Sequence, residues 1–220
     1  MGAGRWLKRT PGEAGERHLG EREDVPEVAI ASREQLRRWL TDNHECGRSV
    51  WLVLWKKGSG EPALGYDALV DECLCFGWVD GLPGKVDARR WKIRISPRSP
   101  ASNWSGVNKR KVAQLERAGR MTDAGRAAIA VAKRRGTWTF LDDVERLEIP
   151  DDLARALDDE SGARKRFERF PASSRRGILE WIKTAKRPET RAKRIHETAS
   201  KAARNRKANF PAGRDAGPSP

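Results

Sequence analysis

Tyrosine occurs once in 220 residues, methionine twice, and histidine and cysteine three times each. No apolar run approaches the roughly 18 residues that a bilayer-spanning helix needs. The opening MGAGRWLKRTPGEAGERHLGEREDVPE has no continuous apolar stretch of the kind a secretory leader carries. An odd number of cysteines argues against a disulfide framework, and the chain reads as cytoplasmic. No G-x-G-x-x-G and no Walker-type glycine loop is present; KKGSGEP is a weak phosphate signal. His18, His44 and His196 are scattered, so no local arrangement sets a histidine beside a nucleophile and an orienting acid. Cys73 and Cys75 sit two residues apart in a helical stretch, which turns their sulfurs about 200° from each other. A tetrahedral metal site wants four converging ligands, so neither a metal nor a cofactor is expected.

What the chain has instead is charge and tryptophan. Charged residues make up 35% and hydrophobic ones 37%, and the formal net charge is +14. Nine tryptophans, each able to bury roughly 150–250 Å², offset the lean apolar composition and make a folded core plausible. The charge is unevenly placed. Residues 107–141 carry nine cations and two anions, residues 142–170 six and ten, and residues 171–220 thirteen and four. A balance this basic favours polyanions such as nucleic acid, through steering and counterion release; the plain alternative is a basic surface that only solubilises.

Periodicity divides the chain into a disordered arm (1–31), an α+β domain (32–140), a helical region (141–206) and a disordered tail (207–220). Ser32 with Gln35 forms a capping box before the stripe Leu36, Trp39, Leu40. SVWLVLWKK (49–57) is apolar on both sides, as an interior strand is. Tyr66, Leu69, Val70, Cys73 and Leu74 recur at helical spacing, with Asp67, Asp71 and Glu72 opposite them, and Gly77 ends the helix. In RRWKIRI (89–95), Trp91, Ile93 and Ile95 face inward while Arg90, Lys92 and Arg94 face out. Helices follow from Val107 onward, the last beginning at Pro188. The predicted fold class is α+β: a small N-terminal sheet packed with helices, then an all-helical C-terminal half.

Three stretches, YDALVDECLCFGWVDG (66–81), SPRSPASNWSGVN (96–108) and ILEWIKTAKRPETRAKRI (178–195), carry a family pattern. They resemble the YdeI/OmpD-associated, or bacteriocin-protection, proteins over about residues 32–206. The resemblance implies links with an outer-membrane porin and with survival of antimicrobial peptides. It brings no catalytic residue set, and porin association rests on the family name alone.

The loop SPRSPASNWSGVNKRK (96–111) poses the sharpest functional question. Arg98 extends the cationic strand, and Ser102, Asn103 and Ser105 crowd the start of a helix, whose free N–H groups favour anions. Ser102 or Ser105 also serves as a cap, with Trp104 as an anchor. The candidate set for a small anionic ligand is Lys56, Lys57, Trp78, Asp80, Arg90, Lys92, Arg94, Arg98, Ser102, Asn103, Trp104 and Ser105. For a polyanion it is Arg175, Arg176, Lys186, Arg187, Arg191 and Arg194, whose contacts would be sequence-independent. Two alternatives stand beside a binding protein. One is an enzyme with Asp80 as base beside Arg98; the other is an adaptor, marked by an exposed apolar patch of several hundred Å².

Overall fold

A computed structural model of the protein describes residues 25–218. Four strands form one sheet: β1 (Glu27–Ile30), β2 (Val50–Trp55), β3 (Trp78–Lys85) and β4 (Arg90–Pro97), in the order β1-β2-β4-β3. β2 is interior, parallel to β1 and antiparallel to β4, and β3 closes the other edge antiparallel to β4. The periodicity predicts only the two central strands. β1 falls where the arm was expected; four residues are too few to show alternation, and it is held by pairing with β2 and by burial of Ile30. β3 falls where a turn was expected. Gly77, at φ +71, turns the chain out of the preceding helix straight into the strand. The register then shifts between Asp80 and Pro83, which breaks the period-2 signal, and Pro83 is tolerated because β3 lies at an edge.

Helices α1 (Arg33–Asn43), α2 (Tyr66–Cys75), α3 (Gly106–Arg117) and α4 (Asp123–Arg134) join the sheet. Ser32 caps α1 by accepting from the Gln35 N–H, while the Gln35 side chain accepts from Ala31 rather than from Ser32 itself. Their apolar side chains meet Val50, Leu52, Leu54, Ile93 and Ile95 in one core. Glu72, expected on the polar side of α2, is fully buried. Its carboxylate accepts from Arg33 Nε at 2.6 Å, Arg37 Nη1 at 2.9 Å and Arg120 Nη2 at 2.6 Å, which pins α1 and the α3–α4 turn to α2. A buried carboxylate is tolerable because it is paired so densely.

The second half is helical: α5 (Asp142–Glu145), α6 (Asp151–Asp159), α7 (Ala163–Arg169), α8 (Ala172–Lys183) and α9 (Pro188–Ala203). These build a second hydrophobic cluster that runs from Leu141 to Ala202. The whole is α+β, with the sheet confined to the first half. The tail was expected to be unstructured, yet through residue 218 it folds back. Ala208 and Asp215 are buried, Lys207 N donates to Asp215 O, and Arg206 grips the Asp215 carboxylate at 2.9 Å. Residues 1–24 and 219–220 lie outside the described residues.

Candidate anion-binding surfaces

The 96–105 loop is tied down at both ends. The Arg98 backbone N–H donates to Gly77 O at 2.9 Å, and that of Trp104 to Thr137 O at 3.2 Å. The Arg98 guanidinium lies 3.8 Å over the buried Trp104 ring and donates through Nη2 to Asn103 O at 2.7 Å. Its Nε and Nη1 are buried with no hydrogen-bond partner among the described residues. Burial brings the Arg98 pKa down to about 10, against the opposing pull of the Asp80 charge. A cleft of about 80 Å³ opens beside it, lined by Arg98, Ser99, Pro100 and Trp104 and by Ala128, Val131 and Ala132 of α4.

The start of α3, expected to offer N–H groups to an external anion, already holds one of the protein's own. Ser105 Oγ accepts from Asn108 N, and the Gly106 N–H donates to Glu145 Oε1 at 2.7 Å. A Cβ on residue 106 would stand 2.7 Å from Glu145 Oε2, so glycine is what lets the carboxylate in. The loop is a connector whose helix terminus is satisfied from α5.

The expected rim does not assemble around that cleft. Asp80 accepts from the Tyr66 hydroxyl at 2.5 Å and is not among the residues lining it. That hydrogen bond, with burial, pushes the Tyr66 phenol up to about 12. Lys56 donates to the carbonyls of Asp87 and Ala88, and Lys57 is exposed in the turn after β2. Trp78 is a core residue, stacked edge-on against Trp39 and donating to His44 O at 3.1 Å, so no ligand face is left to it. The Ser102 N–H closes the loop's own turn on Ser99 O. Pairing of Asp80 with the inward Ile95 sets the two candidate groups apart: Asp80 lies on the helix-covered side of the sheet, whereas Arg90, Lys92 and Arg94 lie on the other.

The cations of that other face were expected to point outward; the aromatic row beside them was missed. Trp51, Val53 and Trp55 were expected to be buried like their neighbours, because β2 is apolar on both sides; Val53 is buried, whereas the two tryptophans are only partly so. None of the three belongs to either hydrophobic cluster. Cross-strand register sets Trp51 opposite Arg94, Val53 opposite Lys92 and Trp55 opposite Arg90. Lys92 Nζ lies 4.8 Å from the Trp51 ring centroid, and the Arg89 and Arg90 guanidinium carbons lie 5.1 and 5.8 Å from that of Trp55. The cations have exposed acidic partners as well: Lys92 with Glu27, Arg90 with Asp87 and Arg89 with Glu61; Arg94 donates to Ser49 Oγ. A groove of about 130 Å³ runs beside Trp55, its walls including Ala29, Val53 and Arg90. The sequence did hold a signal for this face, since a strand with cations at every second residue, set against β2, must put them beside one of its two apolar rows.

The C-terminal candidates are more tied up. Arg191 makes a bidentate pair with Asp152 at 2.7 and 2.9 Å, which holds that carboxyl below its ordinary value. Arg176 lies 3.6 Å from Glu145, and Arg194 donates to Trp181 O and covers the Trp181 ring. Arg175 is half-buried, its Nε without a partner among the described residues, leaving Lys186 and Arg187 exposed at the α8–α9 turn. The acidic 142–170 stretch thus meets the basic closing helices. Exposed large apolar side chains among the described residues are Tyr66, Leu82 and Val107, on three different elements.

Comparison with known families finds two matches. Residues 28–128 match a domain of unknown function (DUF8412), and residues 146–205 match the family described as Bacteriocin-protection, YdeI or OmpD-Associated. The resemblance read from the sequence is therefore shown over the closing helices. Its other two motifs, at 66–81 and 96–108, fall in the segment of unknown function. The break between the two hydrophobic clusters, after Ala132 and before Leu141, lies within the stretch 129–145 that neither match covers. No curated protein and no solved structure matches the chain.

Proposed function

We propose that this chain, whose residues 146–205 carry the Bacteriocin-protection, YdeI or OmpD-Associated pattern, is a non-enzymatic polyanion-binding protein that grips its partner with the open face of the sheet. The observation that carries the proposal is the face itself: Arg89, Arg90 and Lys92 laid over the partly buried Trp55 and Trp51, with Arg94 opposite Trp51 in the register. The four cations of the face, Arg89, Arg90, Lys92 and Arg94, outnumber their acidic partners Glu61, Asp87 and Glu27, so the surface stays net positive with each of those pairs counted. The pairs are half-exposed, and such bridges contribute only about 0–1 kcal/mol, so exchanging a carboxylate for a phosphate costs little.

In this role the protein works in the cytoplasm, where its three thiols stay reduced. A part in bacteriocin tolerance is suggested by the family description and not by the surface.

The test is anisotropy of labelled heparin and of labelled random-sequence DNA as salt is raised. Four phosphate contacts give a log–log slope of about −3 to −4. Arg90→Gln with Arg94→Gln cuts affinity about tenfold or more and flattens that slope, while Lys186→Gln with Arg187→Gln changes neither. A salt-independent signal, or equal loss from the C-terminal pair, overturns the proposal.

A further inference from the structure

The two rings on the open face do something that cations alone do not require. For a surface that merely attracts phosphate, lysine and arginine on a polar strand suffice. Here, two tryptophans lie on the face of an interior strand that points away from the main core, and both are only partly buried. What covers them is cationic side chains on flexible stems, which are free to swing from the ring to a phosphate. Gly84, opposite Lys92, keeps the neighbouring position flat. A Cβ there would come within 3.4 Å of Lys92 Cγ and 3.8 Å of Trp51 Cζ3. On the far side the groove lined by Ala29 and Val53 leaves open space next to the Trp55 ring.

Resting on the polyanion proposal, we infer that the open sheet face is a stacking platform for single-stranded nucleic acid. Every base has a π-face, and stacking on an aromatic side chain is tolerant of sequence, which suits a surface with no hydrogen-bonding readout. Trp51 and Trp55 are four residues apart on one strand, about 13 Å at 3.3 Å per residue. Neighbouring stacked bases are only about 3.4 Å apart, so the two rings take bases that are separated along the strand and splayed from each other. A duplex keeps its bases stacked inside and presents neither ring with a partner. Arg89 and Arg90 next to Trp55, and Lys92 and Arg94 next to Trp51, then meet the phosphates that flank each stacked base.

The experiment uses the full chain with three labelled probes at one salt concentration: an oligo-dT strand, a duplex of equal length, and heparin. The single strand binds about tenfold tighter than the duplex or more. Trp51→Ala and Trp55→Ala each weaken its binding by roughly 5- to 150-fold, the range of one lost base stack, and leave heparin unchanged. Trp51→Phe and Trp55→Phe keep a ring on the strand and retain most of the affinity, which separates stacking from a loss of fold. Equal binding of all three probes, or loss on substitution by Phe as large as by Ala, overturns the inference and leaves the polyanion proposal standing. Absence of binding to all three overturns both.

Discussion

Tyr66 and Asp80 show how a residue that looks chemically promising can be committed elsewhere. Asp80 follows an aromatic in what reads as a turn, so the sequence offers it as a base. In the fold its carboxylate is taken by the Tyr66 hydroxyl. The protein has one tyrosine, so this contact can be measured without ambiguity by ultraviolet titration of the phenolate. The expected midpoint is about 12, and Asp80→Ala brings it down toward the ordinary 10.0. The folded value is the raised one, so the contact favours the folded state below pH 10, and that contribution is lost as pH climbs through about 12. A midpoint near 10.0 in the unsubstituted protein would mean the hydrogen bond is not made in solution. Nothing in sequence spacing pairs residues 66 and 80; the β3 register does. The same limit applies to Glu72, whose helical position looked polar until three arginines from other segments converged on it.

At the level of elements, the sequence was most readable where a single period held. The cap at Ser32, the second of the two serines offered for the start of α3 (Ser105), the interior position of β2 and the inward row of β4 are all present. It was least readable at the edges of the sheet, where β1 is too short and β3 too irregular to register. It also failed to show how closely α4 approaches α2. Thr122 donates through both N and Oγ1 to Cys75 O, and Gly125 sits so near that a Cβ would lie 2.2 Å from that same oxygen. The backbone of Gly125 is helical, so alanine would ordinarily stabilise it by up to about 1 kcal/mol. Packing reverses the sign here. Gly125→Ala lowers stability by about 1–3 kcal/mol as α4 is pushed off the α2–β3 junction, whereas Gly177→Ala, with open space around it, is neutral or stabilising. Chemical denaturation of the two variants checks this; equal effects would show that the close approach is not maintained.

For the whole molecule, the question is how two hydrophobic clusters behave as one body. The link passes through the 96–111 loop and the start of α3. Glu145 of α5 caps the N-terminus of α3 through Gly106 and lies 3.6 Å from Arg176 of α8, and Lys109 of α3 pairs with Asp142 at the start of α5. These charge-assisted contacts cross from the sheet half to the helical half. A hydrogen bond to a charged group contributes about 1.5–3 kcal/mol, so Glu145→Ala should lower stability by about that much and loosen the coupling. The tryptophans report on it, because seven of them, Trp39 to Trp138, lie in the first half, while Trp181 alone of the rest lies in the second. Fluorescence therefore follows mainly the sheet half, whereas far-ultraviolet circular dichroism weighs the helices of both halves. The two urea transitions coincide in the parent protein, as one cooperative unit requires, and separate in Glu145→Ala. Coincident curves in the variant would place the coupling in apolar contacts between the halves and reduce the Glu145 bridge to a local cap.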